Sequence, residues 1–430
     1  MRIGRLLLVL AVPLLIVASE NLARGQDSKP PTSEGVKKLV CHVQLTEGTD
    51  MVRGVPHGER TWKSDIYVQD GPKAKPRLLV QGGQAPQWSP NGEKVAFLEF
   101  SNVYINTELG AGFQAASLAS RQIHVMNADG SGTKQVTKVP NGIWDFAWSP
   151  VEQKIAYCEL GNDGRTAIVT INADGSGRTE LTKIGEVRCA VGMPVLNKTI
   201  DSLKSIYSTH LSGGKASVSL VGGHESAGVE NIKGEVFGVP TLAWSPDGSR
   251  LAFTSVVNGK IVIGVVGTNG GNPKPIIIGY SPLWSPDGKQ LLFRHDSERT
   301  PSVTSICIVN ADGTQPRIVL DGESADFGLM WFPDGKSIVF ASERENKNQS
   351  EIFRINTDGT GLAKIASQDY FSLSSPTLSP DGTELIVDAT PSAGAKSYTY
   401  DPSIWVVDLA SHHQEILMKG TRASVIWEKK

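Results

Sequence analysis

The 430-residue chain carries 42 Lys and Arg against 44 Asp and Glu, a formal net charge of −2 at pH 7. Such a balance excludes a nucleic-acid binder that relies on a basic stripe, since phosphate neutralisation needs clustered cations. Scattered lysines and an aromatic content of 7% equally give no amphipathic helix for a membrane surface.

In chain order the first predicted element is an address. Arg2 and Arg5 precede an apolar run over residues 6–17, and the small residues Ala18, Ser19, Ala23 and Gly25 follow it. Residues 1–25 therefore read as a signal peptide, which places the mature chain in the periplasm or outside the cell. About a dozen apolar residues are too few for the roughly 20 that span a bilayer, so no stable transmembrane anchoring is expected. No Cys follows the run, which argues against a lipid-attached N-terminus. Residues 26–35 read as a flexible leader, and residues 36–430 as one repeat array.

The array announces itself through a repeated phrase: Trp244-Ser245-Pro246-Asp247-Gly248, then Trp284 to Gly288, Trp331 to Gly335 and Leu378 to Gly382, at intervals of 40, 47 and 47 residues. That period fits one four-stranded antiparallel unit and is too short for a domain. Within a unit, Leu242 and Trp244 form a short strand and Pro246-Asp247-Gly248 a turn. Leu251 and Phe253 then alternate on the next strand. Phrases such as Asn310-Ala311-Asp312-Gly313 turn a third strand into a fourth. Asp and Gly recur because the turns need side-chain-to-backbone hydrogen bonds and a positive φ.

Second strands are expected at 38–43, 94–98, 154–158, 204–209, 250–254, 290–294, 337–341 and 384–388. Third strands start near Ile66, Ile123, Ile168, Ala216, Ile261, Ile306, Ile352 and Ile404. The fold class is thus all-β, an eight-bladed propeller of four-stranded antiparallel blades with about 49 residues per blade. Seven blades is the alternative, because the fourth unit has lost the phrase and could be an insertion. The 96 residues from Trp148 to Trp244, twice 48, favour eight. The first second-strand has no phrase before it, whereas Trp427 at the other end is in register with Trp244. Residues 423–427 are therefore expected to supply the innermost strand of the first blade, which leaves no free sheet edge.

Trp88, Trp148, Trp244, Trp284 and Trp331 recur at one structural position and are expected to pack between blades. Asn127, Asp129 and Ser131 are expected to form a turn rather than a calcium loop, which would need more oxygens over twelve residues. Cys41, Cys158 and Cys307 fall in strand patterns and read as small buried hydrophobes, while Cys158 and Cys189 could meet across blades.

The phrases QIHVMNADGSGTKQVTKV, LAWSPDGSRLAFTS, LWSPDGKQLLF and SEIFRINTDGTGLAKI resemble the WD40-like, or PD40, propeller repeats of the TolB family. The resemblance implies an exported propeller that binds another protein or a cell-envelope component. Two departures stand beside it. TolB proteins carry an α/β domain before the propeller, and their propeller has six blades.

Related propellers also serve peptidases and oligogalacturonate lyases. No Gly-x-Ser-x-Gly elbow is present here, and the His224-Glu225 phrase lacks the second His of a zinc helix. His412 and His413 read as an exposed turn. His210 and His295 both end second strands, but a third ligand is missing from the pattern. No catalytic residue, metal or cofactor is assigned.

The compact turns share one rim and the connections between strands two and three share the other with the links between blades. Long, unlike insertions at 99–120, 295–304, 342–350 and 390–403 lie on that second rim, a fixed frame carrying variable loops. The candidate binding residues there are Trp144, Asp145, Arg188, Arg294, His295, Asp326, Phe327, Glu343, Arg344, Asp369 and Tyr370. Exposed aromatics beside Arg and carboxylates suit anchor and charge-pair contacts. The expectation is a noncatalytic, monomeric fold unit that binds a protein or a cell-envelope glycan. The alternative is a metal-assisted polysaccharide lyase with its site in the central cavity.

Overall fold

The computed structural model describes residues 36–47, 51–52, 55–56, 60–99, 103–105, 121–140, 142–160, 166–183, 231–232, 235–236, 241–257, 260–296, 304–322, 324, 326–346, 349–392 and 402–427. All of them belong to one compact unit over residues 33–430.

Seven antiparallel blades of four strands occupy the described residues, the first of them extended by Val103–Ile105, which pairs with the start of Arg60–Gln69. Blade one combines Thr421–Trp427 with Val36–Glu47, Arg60–Gln69 and Arg77–Gln81, and blade two runs from Gly83–Trp88 to Lys134–Gln135. Blade three begins at Ile143–Trp148 and ends at Thr179–Lys183, and blade four begins at Leu242–Trp244 and ends at Lys274–Ile278. Blades five, six and seven begin at Tyr280–Trp284, Asp326–Trp331 and Phe371–Leu378. The second strands lie where the apolar alternation put them, for instance Lys94–Glu99, Gln290–Asp296 and Ser337–Ser342.

The expectation of eight blades is corrected to seven. A repeated contact shows why: in blades three to six the indole of the inner-strand tryptophan donates to the carbonyl just before the tryptophan of the preceding blade. Trp148 reaches Gln87 (3.1 Å), Trp284 reaches Ala243 (3.0 Å) and Trp331 reaches Leu283 (3.3 Å). Trp244 makes this same bond to Ala147, at 3.0 Å, across 97 positions of sequence. Blades three and four are therefore direct neighbours. Their shared core joins Ala156, Ile168 and Leu181 to Leu242, Leu251 and Phe253. No further sheet stands between them, so the doubled spacing does not insert a blade into the ring at this point. The strands expected at 204–209 and near Ala216 lie outside the described residues.

Closure follows the expected route. Leu39 pairs with Val425 and Val36 with Trp427, so the last strand forms the inner edge of blade one. Its residues alternate between two neighbours, as a pleated strand requires. Ala423, Val425 and Trp427 pack with Ile386, Ile404 and Val406 of blade seven. Ile426 joins Val40 and Trp88, and the Ser424 hydroxyl accepts from the Trp88 amide at 3.0 Å.

The turns are closed on themselves. Ser245 Oγ donates to Asp247 Oδ1 at 2.5 Å, the Ser249 amide donates to the same oxygen at 3.0 Å, and Gly248 takes φ 69°. In the other turn type, Asp129 Oδ1 accepts from both the amide and the hydroxyl of Ser131. These bonds stabilise the charged carboxylate. They hold Asp247 down at about 2, and they lower Asp129, Asp174, Asp287, Asp312, Asp358 and Asp408 in the same way. A carboxylate with a depressed folded pKa gives stability that is present above its ordinary value of 3.8 and is lost as pH falls towards the folded value. The melting temperature is thus expected to fall as pH drops from about 4 to 2. Asp247→Asn should flatten that fall, and an unchanged profile would contradict the role given to the turns.

Cys41, Cys158 and Cys307 are buried free thiols, in line with the hydrophobic reading, and Cys189 lies outside the described residues. Burial raises the Cys307 thiol to about 12 and drives Cys41 upward as well.

Candidate functional site

The inner strands arrive at the variable rim through a repeated distortion. Three positions before the Trp or Leu that ends the strand, the backbone turns left-handed: Ala85 (φ 48°), Ser281 (φ 54°), Gly328 (φ 60°) and Ser375 (φ 49°). Each lies within a register shift against the second strand. Such bulges bend the strand and re-aim the side chains above them. At Gly328 a Cβ would come 2.9 Å from Pro376 Cδ of the next blade, so glycine there also permits close blade contact.

Above the bulges of blades five and six, charged groups converge. Asp326, fully buried at 0% exposure, begins the inner strand of blade six. Arg344, just past the second strand, donates to both of its carboxylate oxygens through one guanidinium nitrogen, at 2.8 and 3.0 Å. The Arg344 Nε donates to Ser342 Oγ at 3.1 Å. Its guanidinium lies 5.2 and 5.3 Å from the ring centroids of Phe340 and Phe353. The charged side chain is thereby held in one place by an ion pair, a hydroxyl and two rings.

Blade five completes the cluster. Arg294 is buried, stands 5.1 Å from the Tyr280 ring centroid, and contributes favourably to the Asp326 charge. The Tyr280 hydroxyl donates to Asp296 at 2.9 Å, and Thr304 Oγ1 donates to the Asp326 carbonyl at 3.3 Å. Burial raises the Asp326 carboxyl above its ordinary value, more than Arg344, Ser342 and Arg294 lower it. Glu343, half-buried at the root of the 342–350 loop, is raised by burial too.

Arg294, Asp326 and Arg344 are thus brought together, with Glu343 adjacent in sequence. His295 is next to Arg294 on the same strand and therefore points to the opposite sheet face. Phe327 packs against the core between blades six and seven. Asp145 serves the join between blades three and four, accepting from the Leu242 amide at 3.3 Å. Trp144 sits in the inner strand of blade three. Asp369 and Tyr370 are exposed in the link between blades six and seven, with Tyr370 at 55% exposure and φ 66°. Arg188 lies outside the described residues, as does His210.

Tyr280, Asp296, Thr304 and Ser342 were not legible as members of the cluster. Their one sequence signal is position, since each stands at the rim end of a strand, and that becomes visible only once strand ends are fixed. Among the described residues no three His, Cys, Asp or Glu side chains group as a metal-ligand set. His412 is exposed in a left-handed turn, its Nδ1 lying 3.2 Å from the Ile365 carbonyl.

Residues 239–424 match the PD40 family model, described as the TolB beta propeller domain. Three solved structures are similar over most of the chain. Oligogalacturonate lyase from Vibrio parahaemolyticus is 12% identical with a TM-score of 0.52, over 90% of this chain and 87% of that one. A puromycin-hydrolyzing peptidase from Mycobacterium tuberculosis is 14% identical with a TM-score of 0.51, over 85% and 52%. TolB from Acinetobacter baumannii is 14% identical with a TM-score of 0.45, over 90% and 81%. At these identities the first two show a shared fold and nothing about chemistry. No curated protein matches the sequence.

Proposed function

We propose that this TolB-like propeller is an exported, noncatalytic scaffold that captures a protein or cell-envelope component on its variable rim. The reading rests on one observation, the difference between the two faces. Turn-face aspartates are consumed by their own turns, whereas the other rim carries a fixed charged cluster at the root of unlike loops. A buried Arg–Asp pair costs desolvation and gives little net stability, so a rim that retains one gains positional precision for the loop above it. Protein recognition uses such held charges together with exposed aromatics such as Tyr370.

The experiment is capture from a native envelope extract with three chains: wild type, a variant with residues 345–348 replaced by Gly and Ser, and the turn-face variant Lys336→Gln. The loop replacement should lower capture of the partner about tenfold at unchanged melting temperature, as loss of a hot-spot contact does. Lys336→Gln should leave it intact. Equal capture by all three would count against the rim.

A further inference from the structure

The turn face holds a groove of about 600 Å³ between blades four and five, lined by Arg250, Val265, Lys274, Ile276, Lys289 and Ala311, among others. A broken regularity accounts for its cationic character. The first residue of the outer strand is a cation in blades one, two, four and five: Arg77, Lys134, Lys274 and Arg317. Three of these cations strap their blade to the next turn. Arg77 donates to the Asp129 carbonyl (3.2 Å), Lys134 to Asp174 (2.6 Å), and Arg317 to Thr357. Lys274 makes no hydrogen bond or ion pair among the described residues.

Around Lys274 the other charges are oriented by different means. Arg250 lies 4.4 Å from the Trp284 ring centroid and donates to the Gly288 carbonyl at 2.8 Å, which fixes it at the groove wall. Lys289 is 80% exposed and stands 3.7 Å from Asp287. Two carboxylates belong to this neighbourhood: Asp312, in the groove lining, is held by Thr314, and Asp287 accepts from Ser285 and the Lys289 amide through one oxygen while its other oxygen faces the Lys289 ammonium. Val265, Ile276 and Ala311 form the floor, at the margin of the core between the two blades. In the corresponding groove between blades two and three both lysines are engaged more closely, Lys154 with Glu152 at 2.6 Å and Lys94 with Asn127 at 3.3 Å, and no described cation there is left like Lys274.

We propose that the groove between blades four and five binds a short acidic peptide segment, its carboxylates on Lys274, Lys289 and Arg250 and an apolar side chain on the Val265–Ile276 floor. This site lies on the face opposite the variable rim and is independent of the function proposed above. Its test is fluorescence anisotropy of the full chain with a labelled Glu-Val-Glu-Glu peptide, beside a Lys-Val-Lys-Lys peptide and inorganic phosphate as competitor. Lys274→Gln and Lys289→Gln should each weaken binding about fivefold, the scale of one partly exposed charge pair, and Lys154→Gln should not. Ile276→Ser should weaken it as well, at unchanged secondary structure by circular dichroism. Equal binding of the lysine peptide, indifference to Lys274→Gln and Lys289→Gln, or full displacement by phosphate at concentrations that leave salt controls unaffected would overturn the assignment.

Discussion

Removal of residues 421–430 is expected to abolish cooperative unfolding of the propeller near room temperature. The closing strand contributes Val425 and Trp427 to the core against blade seven and Ile426 to the core against blade two. Three large apolar side chains, counted as half to fully buried, are worth on the order of 5 kcal/mol. A domain whose whole stability is about 5–15 kcal/mol has little margin for that loss, and the truncation also bares the inner edge of Val36–Glu47. Thermal melts and size-exclusion chromatography provide the measurement. A synthetic peptide of residues 419–430 should restore the transition when added. A truncated chain that melts within a few degrees of the full one would show that the ring does not depend on this fastening.

Arg344→Ala is expected to cost about 3–5 kcal/mol at pH 7, because it strips the closest counter-charge from a fully buried carboxylate. The deficit should shrink on acidification. Asp326 already has a folded pKa raised above its unfolded one, and losing Arg344 raises it further. Between the two values the folded state binds more protons, so stability falls as pH rises through that window and recovers as pH falls. Urea midpoints at pH 7 and pH 5 should therefore converge on wild type at the lower pH. Asp326→Asn in the Arg344→Ala background should recover much of the loss at pH 7, since a neutral amide needs no counter-charge. A pH-independent deficit would mean that packing of the Arg344 stem on Phe340 and Phe353, not charge, is what was lost.

These two sites explain the division of labour between the faces. The ring is held by repeated features, the indole bonds between blades and the self-contained turns, and by the single closing strand. Features that break the repeat are the ones for which binding is proposed. Arg344 stands where the second strand of blade six gives way to its loop, and Lys274 is a strap residue that straps nothing among the described residues.

The propeller class, the turn chemistry, the position of seven second strands and the closing strand were all readable in the order of residues. Each depends on contacts within one repeat or on a motif that announces its own register: Trp427 is in phase with Trp244 wherever the chain is cut. Blade number was not readable, because spacing counts residues and cannot say whether 96 of them make two sheets or one sheet and a long connection. Only the Trp244 indole, donating to Ala147, decided it. The cluster of Arg294, Asp326 and Arg344 likewise needed tertiary structure. Arg294 comes from blade five and Asp326 with Arg344 from blade six, and whether neighbours such as Arg294 and His295 share a face is fixed by strand pleat and bulge, which bring distant residues together through space rather than along the chain.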